Sequence, residues 1–116
     1  MSLHPLKINV SRLLDKLDRL SQIGALADGG VTRLALTDED KQARQQLVIW
    51  MKELGMEIYV DRVGNIFGIR AGAKQTQPVM IGSHIDTVIG AGILDGCYGV
   101  MAALECIQVL NENKVV

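Results

Sequence analysis

Chemically versatile side chains are scarce in this chain. Histidine, cysteine and proline each occur twice in 116 residues, and the aromatics amount to one Trp, two Tyr and one Phe. Two cysteines are too few for a disulfide scaffold of the kind that staples small secreted domains. Cys97 and Cys106 also fall on one expected helix, where a rise of ~1.5 Å per residue sets them ~13 Å apart, beyond the ~7 Å limit for a disulfide. Both read as small packing residues. An excess of one charge is missing too: 12 Lys and Arg face 13 Asp and Glu, for a formal net charge of -1. The two signs are interspersed along the helices, the pattern of a solvated surface, which argues against nucleic acid as a partner. No apolar run approaches the ~20 residues that span a bilayer. The start, Met1-Ser2-Leu3-His4-Pro5-Leu6-Lys7, has no apolar secretory core. A cytoplasmic protein with no membrane and no nucleic-acid partner is expected.

What is present has the composition of one globular domain, 48% hydrophobic and 22% charged. From Asn9 to about Ala27, Val10, Leu13, Leu14, Leu17 and Leu20 recur at helical spacing opposite Asp15, Lys16, Asp18 and Arg19. Gly24 and Asp28-Gly29-Gly30 end that helix, and Val31 to Leu36 form a connector. Thr37-Asp38-Glu39-Asp40 has the form of a capping box and opens a second helix to Leu54, with Ala43, Leu47, Trp50, Met51 and Leu54 as its buried stripe and Gly55 as its stop.

The period then changes to two. Met56, Ile58 and Val60 alternate with Glu57, Tyr59 and Asp61, and Asn65 to Arg70 follows a short turn, so the two runs read as a hairpin. Pro78-Val79-Met80-Ile81 is continuously apolar, the mark of a third strand covered on both faces. Gly96 to about Asn113 is helical again, with Val100, Ala103, Leu104, Ile107 and Leu110 on one face and small residues at Gly99, Ala102 and Ala103 that allow close approach to a sheet. The order helix, helix, strand, strand, strand, helix predicts a layered α/β or α+β domain.

Chemistry concentrates in one place. Gly82-Ser83-His84-Ile85-Asp86-Thr87 and, after a glycine-rich loop, Asp95-Gly96 bring together a histidine and two aspartates. Imidazole and carboxylate suit zinc or similar ions, and His84 and Asp86, two residues apart, share a side if the backbone is extended. This is half a site, since a catalytic zinc takes about three protein ligands and the other histidine, His4, lies in the polar N-terminal tail. Singly, each residue has a plainer explanation: Asp95 as a helix N-cap, Asp86-Thr87 as a turn former, His84 as a hydrogen-bonded histidine at a strand end. Jointly they favour a metal, because clustered carboxylates without a cation or donors are costly to bury. Cys97 is a candidate soft ligand, disfavoured because harder ligands adjoin it. A dinucleotide loop at Gly90-Ala91-Gly92-Ile93-Leu94-Asp95-Gly96 is disfavoured by its distance from the preceding strand and by Asp95, a carboxylate where a phosphate would sit.

Gly82-Ser83-His84-Ile85-Asp86-Thr87-Val88 followed by Gly92-Ile93-Leu94-Asp95-Gly96-Cys97-Tyr98-Gly99-Val100 resembles the signature of the dinuclear-metal aminoacylase and carboxypeptidase-type amidohydrolases. Leu34-Ala35-Leu36-Thr37-Asp38-Glu39-Asp40 and Asp61-Arg62-Val63-Gly64-Asn65-Ile66-Phe67-Gly68 resemble more narrowly their amidase branch of N-carbamoyl-L-amino-acid hydrolases, allantoate amidohydrolases and β-ureidopropionases. The likeness runs from about Val10 to the end, with Ala91 departing from a usual glycine. It implies a layered catalytic domain of zinc-exopeptidase type, of which residues 1–116 are the N-terminal portion. His84 would bind one of two zinc or manganese ions, Asp95 would bridge both, and Asp86 would serve catalysis from behind His84 by fixing its tautomer. In such families a Glu-Glu pair, the remaining histidine ligands and a lid domain that forms the homodimer come after the position of Val116. The implied reaction is hydrolysis of a linear amide or ureido C–N bond in a small carboxylate substrate, an N-carbamoyl-L-amino acid or allantoate, with the 116 residues inactive alone. An aminoacylase or dipeptidase of the same superfamily is the alternative enzyme, and a noncatalytic interaction module the alternative outside enzymes.

Overall fold

The computed structural model describes residues 5–116, so His4 lies outside the described residues. Three helices and one hairpin follow in the order α1 (Val10–Ser21), α2 (Asp38–Glu53), β1 (Glu57–Val60), β2 (Ile66–Ile69) and α3 (Cys97–Glu112). This is a small α/β arrangement. Among the described residues, no helix is long and apolar enough to cross a membrane.

Asn9 caps α1 by accepting from the Arg12 amide at 3.0 Å, which meets one of the donors left over in the first turn. Leu13, Leu17 and Leu20 are buried, while Val10 and Leu14 are 56% and 55% exposed, so the buried stripe is narrower than the leucine spacing suggests. The helix stops at Ser21, short of the expected Ala27. Gly24 turns the chain at φ 85° and its carbonyl accepts from the Thr32 amide at 2.9 Å. A Cβ on residue 24 would lie 2.4 Å from the main-chain carbonyl oxygen of Thr32, so only glycine fits.

Thr37 caps α2 as the motif predicts, its hydroxyl accepting from the Asp40 amide at 3.2 Å. The reciprocal half is displaced by one residue: the Asp40 carboxylate accepts from Leu36 N at 3.1 Å. The hairpin is antiparallel with Glu57 opposite Ile69 and Val60 opposite Ile66. Asp61 builds its turn, accepting from the amides of Val63 and Asn65 at 3.0 and 2.8 Å and from the Asn65 side chain at 2.8 Å. The Asn65 side-chain bond foremost holds the Asp61 carboxyl below the ordinary range.

Residues 78–81 correct the third-strand reading. No strand forms there, and Val79, Met80 and Ile81 are 93%, 75% and 59% exposed. A strand is defined by its ladder, and among the described residues the only sheet is the β1–β2 pair, which leaves this segment without a partner. It borders an open trough of about 950 Å³ between β2, α2 and α3, lined by apolar side chains that include Phe67, Val100 and Ile107.

The apolar surface of α3 runs around two sides. Met101 and Leu104 join α1 and α2 in one core with Leu13, Leu17, Leu47 and Trp50, while Ala103 and Ile107 turn toward the trough. A helix apolar on both sides is one built to be covered twice. Gly99 allows the chain at Ser83 to pass close by, since a Cβ on residue 99 would lie 2.9 Å from the Ser83 Cβ.

Candidate functional site

The site lies where an extended segment meets the N-terminus of α3. Residues 31–33, expected as a plain connector, run antiparallel to residues 87–91. Val31 and Ala91 exchange both backbone bonds at 2.9 Å, and the Thr87 amide donates to the Arg33 carbonyl at 2.7 Å. Thr87 is buried rather than placed in an exposed turn, and its hydroxyl accepts from the Arg33 amide at 2.7 Å. Burial alternates along this segment, Ile85 and Thr87 inward, His84 and Asp86 outward. The two chemical side chains therefore share a side, as period-two geometry requires.

His84 Nδ1 donates to the main-chain carbonyl of Asp86 at 2.9 Å and has the Asp86 Oδ1 at 3.4 Å. In a neutral imidazole, a proton held on Nδ1 leaves the lone pair on Nε2. On that side stands Asp95, its Oδ1 3.8 Å from Nε2. Asp95 does not cap α3: the N-cap is Gly96, with no side-chain cap bond, and among the described residues Asp95 is engaged through its carbonyl, which accepts from Cys97 N at 2.7 Å. The carboxylate is left facing the imidazole with about half its surface exposed.

Gly96 makes this geometry possible. It sits at φ 67°, and a Cβ there would come within 2.3 to 2.5 Å of three ring atoms of His84. Gly96→Ala is expected to cost at least the ~1–2 kcal/mol of a left-handed non-glycine residue and to push the ring away from Asp95. Gly92→Ala, where a Cβ meets nothing within 4 Å, is the control. Urea unfolding of both variants checks the cost, and equal stability of the two would refute it.

Cys97 is buried at the first residue of α3. Its sulfur accepts from Arg33 Nη2 at 3.2 Å inside the core. Burial pushes the thiol up, against the opposing charge and hydrogen bond of Arg33 and with smaller pushes from Asp95 and Asp86. Thr87 and Gly96 stand inside the motif with no site role assigned to them from sequence, and Arg33 stands outside it. A lone arginine inside the apolar run Val31 to Leu36 is the signal that could have marked Arg33.

A profile of peptidase family M28 matches residues 65–116, the stretch that carries His84, Asp86 and Asp95. The N-carbamoyl-L-amino acid amidohydrolase of Geobacillus stearothermophilus is 38% identical over 110 residues, 94% of this chain and 27% of that protein. The allantoate amidohydrolase of Bacillus subtilis is 45% identical over 102 residues, 87% of this chain and 25% of that one. A crystal structure of a hydantoinase/carbamoylase family amidase from Burkholderia ambifaria superposes with a TM-score of 0.93 at 46% identity, covering 96% of this chain and 28% of that one. The chain is homologous to the hydantoinase/carbamoylase amidases. It spans about a quarter of the length of these relatives.

Proposed function

We propose that this chain carries part of a two-metal centre in an amidohydrolase that cleaves a linear amide or ureido C–N bond of a small carboxylate substrate. The observation that carries the reading is the face-to-face pair, His84 Nε2 and Asp95 Oδ1, 3.8 Å apart with Nδ1 engaged elsewhere. Typical metal–nitrogen and metal–oxygen lengths sum to about 4.2 Å, so one ion fits between these atoms. Imidazole and carboxylate are donors that zinc and manganese accept. Among the described residues, no group of three or more His, Cys, Asp or Glu side chains could hold one ion; in this reading His84 and Asp95 supply two of the ligands and the others come from elsewhere. The layering of a zinc exopeptidase, with further strands beside residues 78–81 and over the trough, belongs to the same proposal, as does a homodimer.

In this reading His84 would hold one ion through Nε2, Asp95 would be shared by both, and Asp86 would hold the ring in the tautomer that keeps Nε2 free. Bound divalent ions supply a polarised carbonyl and an activated water. The chain's own contribution is orientation: extended backbone at 84–86 and glycine at 96 set imidazole and carboxylate against each other before any ion arrives.

The M28 match over residues 65–116 favours a second reading, an aminoacylase or dipeptidase. The whole protein, stripped with a chelator and reloaded with zinc or manganese, separates the two. Metal-dependent ammonia release from N-carbamoyl-L-amino acids or allantoate supports the first reading. Turnover confined to N-acyl amino acids or dipeptides moves the assignment to the second, and no metal-dependent hydrolysis of either class sinks both.

A further inference from the structure

Arg33 is 1% exposed, and among the described residues no carboxylate pairs with it. A buried charge without a counterion costs several kcal/mol unless its donors are fully used. Four of the five are used here, on three separate segments. Nε donates to the Ile85 carbonyl at 2.9 Å, Nη1 to the carbonyls of Leu20 and Ile23 at 3.0 and 2.6 Å, and Nη2 to Cys97 Sγ at 3.2 Å. Ile85 is the residue between His84 and Asp86, and Cys97 is two residues after Asp95. One rigid fork thus grips both arms of the site and the end of α1, while the main chain of the same residue holds Thr87.

We propose that Arg33 is a positioning residue for the metal site: its guanidinium ties the backbone at Ile85 to the first turn of α3 and so sets the His84 imidazole opposite the Asp95 carboxylate. The inference rests on the metal reading above for its consequence in binding, and on geometry alone for its effect on the His84–Asp95 separation. A planar fork with five donors can reach acceptors on several sides, whereas a lysine ammonium, a compact point charge, cannot. Charge conservation therefore does not rescue the role.

Arg33→Lys and Arg33→Met in the whole protein test it, with Arg12→Met, which loosens α1 from α3 away from the site, as the control for lost stability. Cobalt(II) is titrated into the metal-stripped proteins while its visible absorption reports both affinity and ligand geometry. Both Arg33 variants are expected to bind cobalt ~10- to 100-fold more weakly, the range for losing a group that orients a metal ligand, with an altered visible spectrum, while Arg12→Met keeps the parent affinity and spectrum. Wild-type affinity and spectrum in folded Arg33→Lys would overturn the proposal, as would equal losses in Arg12→Met. If the parent protein takes up no cobalt, the metal reading falls, and the crystal structure of Arg33→Lys decides on positioning: a His84–Asp95 separation still at 3.8 Å refutes it, and a shifted ring sustains it.

Discussion

Asp95→Ala is expected to remove nearly all turnover from the whole protein and to lower its metal content, whereas Asp86→Ala keeps both measurable. The difference follows from what each carboxylate touches. Asp95 caps no helix and makes no hydrogen bond with its side chain among the described residues, yet it stands 3.8 Å from His84 Nε2. A carboxylate kept free of local duties beside this imidazole is available to a metal in the proposed reading, and as the proposed bridge its loss would affect both ions. Asp86 holds Nδ1 chiefly through its main-chain carbonyl at 2.9 Å, with the carboxylate farther off at 3.4 Å. Truncation to alanine retains the closer contact, so the loss of rate belongs at the lower end of the ~10- to 100-fold seen when such supporting groups are removed. Metal analysis and turnover of the two purified variants check this. Full activity in Asp95→Ala ends the two-metal reading, and an Asp86→Ala variant as damaged as Asp95→Ala would make the carboxylate, rather than the carbonyl, the group that orients His84.

Much of this was legible before any coordinates, for reasons that differ by element. The cap at Thr37, the stop at Gly55 and the hairpin around Asp61 to Gly64 are local: each is decided by side chains within a few residues, so the sequence carries the instruction in one place. The shared side of His84 and Asp86 follows from period two alone. Elements that depend on distant partners were less legible. Val79 to Ile81 has the composition of a covered strand, but a ladder needs a neighbour, and composition cannot supply one. Leu14 matches the helical period as well as Leu13, and only the direction from which α3 approaches decides which is buried. The same holds at the site: the ligand chemistry marks His84, Asp86 and Asp95, while Arg33, Thr87 and Gly96 matter through contacts that are 10 to 64 residues away in sequence.

Arg12→Met is expected to destabilise the protein by about 3–5 kcal/mol, the cost of stranding one member of a buried ion pair. Glu105 is 1% exposed on α3, and Arg12 on α1 grips it with two bonds of 2.8 Å, Nε to Oε2 and Nη2 to Oε1. The Asn9 amide adds a third at 2.8 Å to Oε1. Without the guanidinium the buried carboxylate keeps, among the described residues, that amide alone. Arg12 also reaches Glu112, but that carboxylate is half-exposed and such contacts contribute little. The hydrogen bonds from Arg12 hold the Glu105 carboxyl below the ordinary range despite its burial. A carboxyl lowered in the folded state stabilises above the unfolded value, ~4.3 for glutamate, and that contribution is lost as the pH falls through the lower folded value. Acid sensitivity below about pH 4.3 should therefore be smaller in Glu105→Gln. The double variant Arg12→Met/Glu105→Leu, with no charge left to strand, should be more stable than Arg12→Met alone, because replacing both partners by apolar groups restores what removing one destroys. Urea unfolding of the four proteins at neutral and acid pH reads all of this. A loss below about 1 kcal/mol in Arg12→Met would place the pair with ordinary surface ion pairs and remove the clamp between α1 and α3 from the account of the fold.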